Sequence, residues 1–165
     1  MSVNDISDRI ADLELSMFEK LRDEQPHVMF ETPNVFRAWR KATHATLSLA
    51  TLVSLERDVE KACELGQNLI SEKYRLLTGP RSNVPNVPSV DILCSIMRRW
   101  LHEMANHQPE MVANDVEAEV WTLRCGLVLL SETTLSLMQD DLAKARDEGR
   151  NLAAQTFALA VAELS

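Results

Sequence analysis

The sequence predicts an all-α protein: a six-helix bundle built from two tandem three-helix repeats with pseudo-twofold symmetry. Three observations predict it. Apolar residues recur at spacings of three and four over long stretches, the pattern of amphipathic helices. Glycine and proline are sparse, four and six in 165 residues, and the prolines cluster in a few places. That is the habit of long helices with short connections. Finally, the chain repeats itself: shifted by 83, residues 1–82 lie on 84–165 without a gap.

The first helix is expected from about Asp5 to Asp23, with Ile6, Ile10, Leu13, Met17, Phe18 and Leu21 on one face. Gln25-Pro26 ends it, because the residue before proline resists the helical region. Thr32-Pro33 opens the second: threonine caps well, and proline is tolerated at the first helical position. Its stripe is Val35, Phe36, Trp39 and Leu47, with a bend expected between Ser48 and Ser54. The third carries Leu52, Leu55, Val59, Ala62, Gly66, Leu69, Lys73 and Leu76, stepping alternately by three and four like a coiled-coil seam. Thr78-Gly79-Pro80 stops it.

Pro80, Pro85 and Pro88 mark a linker over 80–88. It divides repeat one (about 1–79) from repeat two (about 89–165), and the two form a single domain over 1–165. Ser89 is expected to cap the fourth helix, which bears Ile92, Leu93, Ile96, Met97, Trp100, Leu101 and Met104. Gln108-Pro109 breaks it. Asn114-Asp115 offers the cap of the fifth, with Val120, Leu123, Leu127 and Leu130. The sixth repeats the three-and-four stepping through Leu135, Met138, Leu142, Ala145, Gly149, Leu152, Thr156 and Leu159.

At the shift of 83, fifteen positions are identical, and ten of them fall within 47–69. About one or two would be expected there from ordinary composition. Two such units are too few for an open solenoid and should pack face to face. Ala62 and Gly66, like Ala145 and Gly149, lie one turn apart on the seam. Glycine inside a helix costs roughly 1 kcal/mol relative to alanine. The expectation is therefore that the third and sixth helices cross closely at these glycines.

Composition narrows the function. Apolar residues make up 45% and charged residues 25%, which suits a packed globular chain rather than disorder. The net charge is −8, and the densest basic stretch is the short run Arg37 to Lys41. No nucleic acid and no anionic membrane surface is expected as a partner, since both are bound largely through positive charge. Residues 1–20 carry acids throughout, so no secretory leader is expected, and no apolar run is long enough to span a bilayer. Cys63, Cys94 and Cys125 are odd in number and far apart, which excludes a disulfide framework and fits a cytoplasmic location.

Catalytic and metal signatures are missing. Among His27, His44, His102 and His107, the pair His102 and His107 stands five apart, and the Glu24-x-x-His27 spacing falls on a helix broken by Pro26, so no metal and no cofactor is expected. There is no nucleophile elbow, phosphate-cradling glycine loop or dinucleotide fingerprint. Glu14, Arg40, Glu72 and Arg124 sit beside apolar stripes and are candidate ligand-binding residues; their ordinary role would be structural ion pairs. Asn68 and Asn151 are candidates as a matched polar pair lining a pocket between the repeats. Their ordinary role would be to bond a nearby helix end. Asp58 with Lys61, and Asp141 with Lys144, read as solvated surface pairs at i,i+3.

The segments Leu13 to Phe18 and Gly66 to Tyr74, with Gly149-Arg150-Asn151-Leu152 near the C-terminus, resemble a bacterial family catalogued as domain-of-unknown-function family 4125. The resemblance covers most of the chain and implies no activity. The family's pattern has a glutamate after an Arg-Gly pair in the fifth helix. Here that stretch reads Arg124-Cys125-Gly126-Leu127, without an acid, so the resemblance implies that chemistry resting on that glutamate is lacking.

Two functions follow from these residues. The first is a non-enzymatic helical interaction or regulatory module, self-associating as a homodimer or binding a protein partner. The alternative is a small-molecule binder or enzyme working in the cleft between the repeats.

Overall fold

The computed structural model describes residues 1–28, 31–111 and 115–165. Among these it is all helical, with eight helices: α1 (Val3–Glu24), α2 (Pro33–Ala45), α3 (Leu49–Glu64), α4 (Leu69–Thr78), α5 (Pro88–His107), α6 (Val116–Leu127), α7 (Glu132–Asp147) and α8 (Leu152–Leu164). Short 3-10 turns follow α1, α4 and α5.

Eight replace the expected six because each seam helix is broken in two. At the first break Gly66 takes φ +70°, and its N–H bonds the Cys63 carbonyl while Gln67 N–H bonds the Ala62 carbonyl at 2.8 Å. These two bonds close the helix end with a left-handed residue. Gly149 (φ +72°) does the same with Arg146 and, through Arg150, with Ala145. Asn68 and Asn151 then cap the next helices. Asn68 Oδ1 accepts from the N–H of Ile70 and Ser71, and Asn151 Oδ1 from that of Ala154.

The glycines are thus turn residues, and the close helix crossing expected at them is absent: a Cβ on either would meet nothing within 4 Å. Each break spans four residues, 65–68 and 148–151, and the three-and-four spacing of the sequence runs through it without a change of step. Gly66→Ala is expected to cost about 1 kcal/mol through the left-handed backbone rather than through packing. Gly66→Leu should cost little more, and urea unfolding of the two variants checks this.

Other boundaries follow capping chemistry. Ser2 and Asp5 form a reciprocal capping box that starts α1 slightly before the expected residue. Thr32 Oγ1 accepts from Val35 N–H at 3.4 Å, and Asp115 Oδ1 from Ala118 N–H at 2.8 Å. Asn114 lies outside the described residues. The expected bend near Ser48 is a full break, with Ser48 capping α3. Ser89 is no cap: Pro88 already begins α5, and the Ser89 hydroxyl donates to Glu132.

Two hubs organise the core. α1 packs on α2, α3 and α4, and α5 packs on α6, α7 and α8. The halves join where α2 meets α8, α4 meets α6 and α3 meets α7. Ile6, Ile10, Phe18, Val90, Leu93, Leu52 and Leu135 are essentially inaccessible at the centre. Phe18 stacks on Phe36 with centroids 4.2 Å apart, and Trp39 meets Phe157 edge-on across the α2–α8 contact.

The α3–α7 contact is polar. Asp141 Oδ2 accepts from the N–H and hydroxyl of Ser48, at 2.9 and 3.0 Å, and from Thr51 Oγ1 at 2.6 Å. Asp58 Oδ2 accepts from the N–H and hydroxyl of Ser131 at 3.0 and 2.9 Å. The reading of these aspartates as solvated partners of Lys61 and Lys144 is therefore corrected. Each carboxylate holds the N-terminus of the opposite helix, where exposed N–H groups favour negative charge.

Candidate functional site

A buried carboxylate lies between α1 and α2. Glu14 falls on the inward face of α1, with 5% of its surface exposed. Arg40 and His44 stand one turn apart on α2, which runs back along α1, so both reach the same carboxylate. His44 Nε2 lies 2.5 Å from Glu14 Oε1. Arg40 donates Nε and Nη2 to Glu14 Oε2 at 3.2 and 2.8 Å. His44 is 1% exposed, and its Nδ1 has no hydrogen-bond partner among the described residues. An ionised Glu14 only accepts, so Nε2 is the donating nitrogen in that contact.

Burial on its own would raise the Glu14 carboxyl. The charge of Arg40 and the contact with His44 outweigh it and hold the group well below the usual carboxylate range. Glu14 is therefore a fixed anion inside the protein.

Lys73, on α4, joins the cluster. Its stem runs over Gly126 of α6: a Cβ there would stand 3.5 Å from Lys73 Cδ and 3.9 Å from Nζ. Burial and the neighbouring Arg40 charge lower the ammonium to about 8, against the opposing pull of Glu14 and Glu31. Among the described residues Lys73 makes no hydrogen bond and no ion pair. Glu31, just before α2, stands at the exposed rim. Partial desolvation raises its carboxyl above the ordinary value, against the pull of Lys73 and Arg40.

The native Lys73 amine releases its proton near pH 8, whereas the unfolded chain holds it to about 10.5. Between these values the unfolded state binds more protons, so stability rises with pH. The destabilisation is fully present below pH 8. Lys73→Met should lose this rise, as read from the difference between wild-type and variant urea midpoints from pH 7 to 10.5.

The sequence candidates separate. Glu14 and Arg40 come together. Glu72 lies at the surface, paired with Arg75 at 2.8 Å one turn on. Arg124 pairs with Asp91 at 2.5 Å, joining α6 to α5. Asn68 and Asn151 are helix caps whose Nδ2 atoms donate to the carbonyls of Met17 and Trp100, at 2.8 and 3.0 Å, tying each break to its hub helix. His44, Lys73 and Glu31 were missed. His44 looked like a lone histidine without a ligand partner, and Lys73 occupied an apolar register position, which was its one signal.

Two surface grooves lie elsewhere. One, of about 240 Å³, is lined by Arg99, Trp100, Glu103 and Arg150 among others; the second runs along Gly66 to Glu72. Among the described residues no group of three or more His, Cys, Asp or Glu could hold a metal ion, and no helix is long and apolar enough to cross a membrane.

No curated protein and no solved structure matches the chain. One family model does, over residues 4–164, and its description is "Protein of unknown function (DUF4125)". Within that match, the stretch from Arg124 to Leu127 puts Gly126, not an acid, against Lys73. Matched over nearly its whole length, the chain belongs to this family of proteins of unknown function.

Proposed function

We propose that the chain is a small-molecule-binding protein, with its site at Glu14, Arg40, His44 and Lys73. The chain is read as two copies of one four-helix unit, related by a pseudo-twofold axis through the α3–α7 contact. Helix starts at Pro33, Leu49 and Leu69 recur 83 residues later at Val116, Glu132 and Leu152. The glycine breaks, the asparagine caps and the reciprocal aspartate–serine bonds recur with them.

The observation that carries the function is a contrast between the copies. The positions equivalent to Glu14, Arg40, His44 and Lys73 hold Met97, Leu123, Leu127 and Thr156. Met97 and Leu123 pack against the core, and Leu127 is part of it. The same fold thus closes without charges in copy two. Buried charges carry a desolvation penalty that their attraction often fails to repay. A partly satisfied network, with His44 Nδ1 and Lys73 lacking partners, is worse than an apolar core. A costly feature that the fold does not need points to binding.

A thermal-shift screen of small metabolites tests this reading. Hits are expected whose stabilisation disappears in Arg40→Met. A set of hits indifferent to that variant would count against the site.

One observation favours the interaction module. The last turns of α8 expose Leu159, Val161 and Leu164 at 43–47%, whereas Leu76, the counterpart of Leu159, is 4% exposed. Apolar surface of this kind marks contact sites when it is contiguous. Concentration-dependent mass in native mass spectrometry, abolished by Leu164→Lys, would support self-association through this face.

A further inference from the structure

We propose that the open edge of the cluster, between Lys73 Nζ and Arg40 Nη1, receives a small oxyanion: a carboxylate or phosphate group, free or carried by a larger ligand. The inference rests on reading the cluster as a binding site.

Donors there outnumber acceptors. The Lys73 ammonium has three N–H groups and no partner among the described residues. Arg40 spends Nε and Nη2 on Glu14, and its Nη1 has no partner among the described residues. Glu14 accepts from His44 at Oε1 and twice from Arg40 at Oε2, and among the described residues no hydrogen bond joins it to Lys73.

At Gly126, α6 sets no side chain against the Lys73 stem. Gly126 has no side chain, and the position its Cβ would take is 3.9 Å from Nζ. An anion seated there would meet the ammonium on one side and the guanidinium on the other. It would also end the like-charge repulsion that now weakens Lys73. The site is reachable: Lys73 is half-buried and the Arg40 side chain is 30% exposed.

Glu31 is the competitor. It is near enough for its charge to act on both Lys73 and Arg40, yet it forms no ion pair with either among the described residues. An incoming anion would displace its influence from the rim.

The test is calorimetric titration with inorganic phosphate and with malonate at fixed ionic strength, using sodium chloride as the control salt. Saturable binding to the wild type is expected for at least one probe. Affinity should fall at least ten-fold in Lys73→Gln. It should fall similarly in Gly126→Asp, which supplies a carboxylate of its own beside Nζ. Glu31→Gln should bind more tightly, and the surface variant Lys144→Gln should match the wild type.

A stronger response to phosphate assigns a phosphate group, and a stronger response to malonate assigns a carboxylate. Equal affinity in wild type and Lys73→Gln, or no saturable binding of either anion, overturns the inference. Glu31→Gln keeps the test decisive if an interior variant fails to fold. Uncharged metabolites binding in an Arg40-dependent way, with both anions ignored, would leave the broader reading standing and remove this one.

Discussion

Glu14→Ala is expected to cost about 3–5 kcal/mol of folding stability, the usual result of removing one partner from a buried ion pair. The loss has three parts. Arg40 would keep its charge while losing both bonds to Oε2. His44, already unpartnered at Nδ1, would lose the contact at Nε2 as well and become a buried ring with no hydrogen-bond partner among the described residues. Lys73 would lose the one buried anion that favours its charged form. Equilibrium urea unfolding at pH 7 measures the change. A loss under about 1 kcal/mol, the range of an exposed pair, would mean that water reaches this carboxylate freely.

Asp141→Ala is expected to be the next largest change, at about 2–4 kcal/mol, since hydrogen bonds to a charged group contribute roughly 1.5–3 kcal/mol each and are not additive. It removes the acceptor for two Ser48 donors and for the fully buried Thr51 hydroxyl. Thr51 would be left with the Ser48 hydroxyl at 3.0 Å as its remaining contact. Asp58→Ala should cost less, because Asp58 holds the two Ser131 donors and no hydroxyl equivalent to Thr51; the Thr134 hydroxyl bonds Ser54 instead. A larger loss in Asp58→Ala than in Asp141→Ala would contradict this ordering. Asp141→Asn should recover part of the stability, as the amide keeps one acceptor and drops the charge.

Fold class, apolar stripes and the offset of 83 were legible in the sequence because they are local and periodic. Phe18, Leu52 and Leu135 lie at the core where their spacing put them. Gly66 and Gly149 were not legible in the same way. A glycine on an apolar seam has the same spacing whether it lets helices touch or lets one helix end. The asparagine two residues on was the discriminating signal. An N-cap preference directly after glycine reads as stop and restart. Asp58 and Asp141 were misread for a different reason: the N-terminus they hold belongs to the other half, and no local pattern encodes a contact across 73 or 93 residues.

The candidate site was half visible. Glu14 and Arg40 stood beside apolar stripes, and the structure pairs them. Their grouping with His44 depends on how α2 folds back along α1, and their grouping with Lys73 on how α4 and α6 close over them. Neither is written in residue spacing. What the sequence did hold was the contrast with Met97, Leu123, Leu127 and Thr156 at the equivalent positions. The positions that differ at the offset of 83, not the identical ones, mark the cluster.

On the function proposed here, this polar cluster is kept for binding and not for stability. The test is to give the first half the residues that stand 83 positions further on: Glu14→Met, Arg40→Leu, His44→Leu and Lys73→Thr together, measured by urea unfolding beside the wild type and Glu14→Ala. The variant is expected to fold and to be at least as stable as wild type, by up to about 4 kcal/mol, as when buried ion clusters give way to apolar residues of similar volume. Every Arg40-dependent ligand response is expected to be gone. A four-residue variant that loses several kcal/mol, as Glu14→Ala does, would show instead that the charges hold the first half together, and the binding reading would lose its foundation.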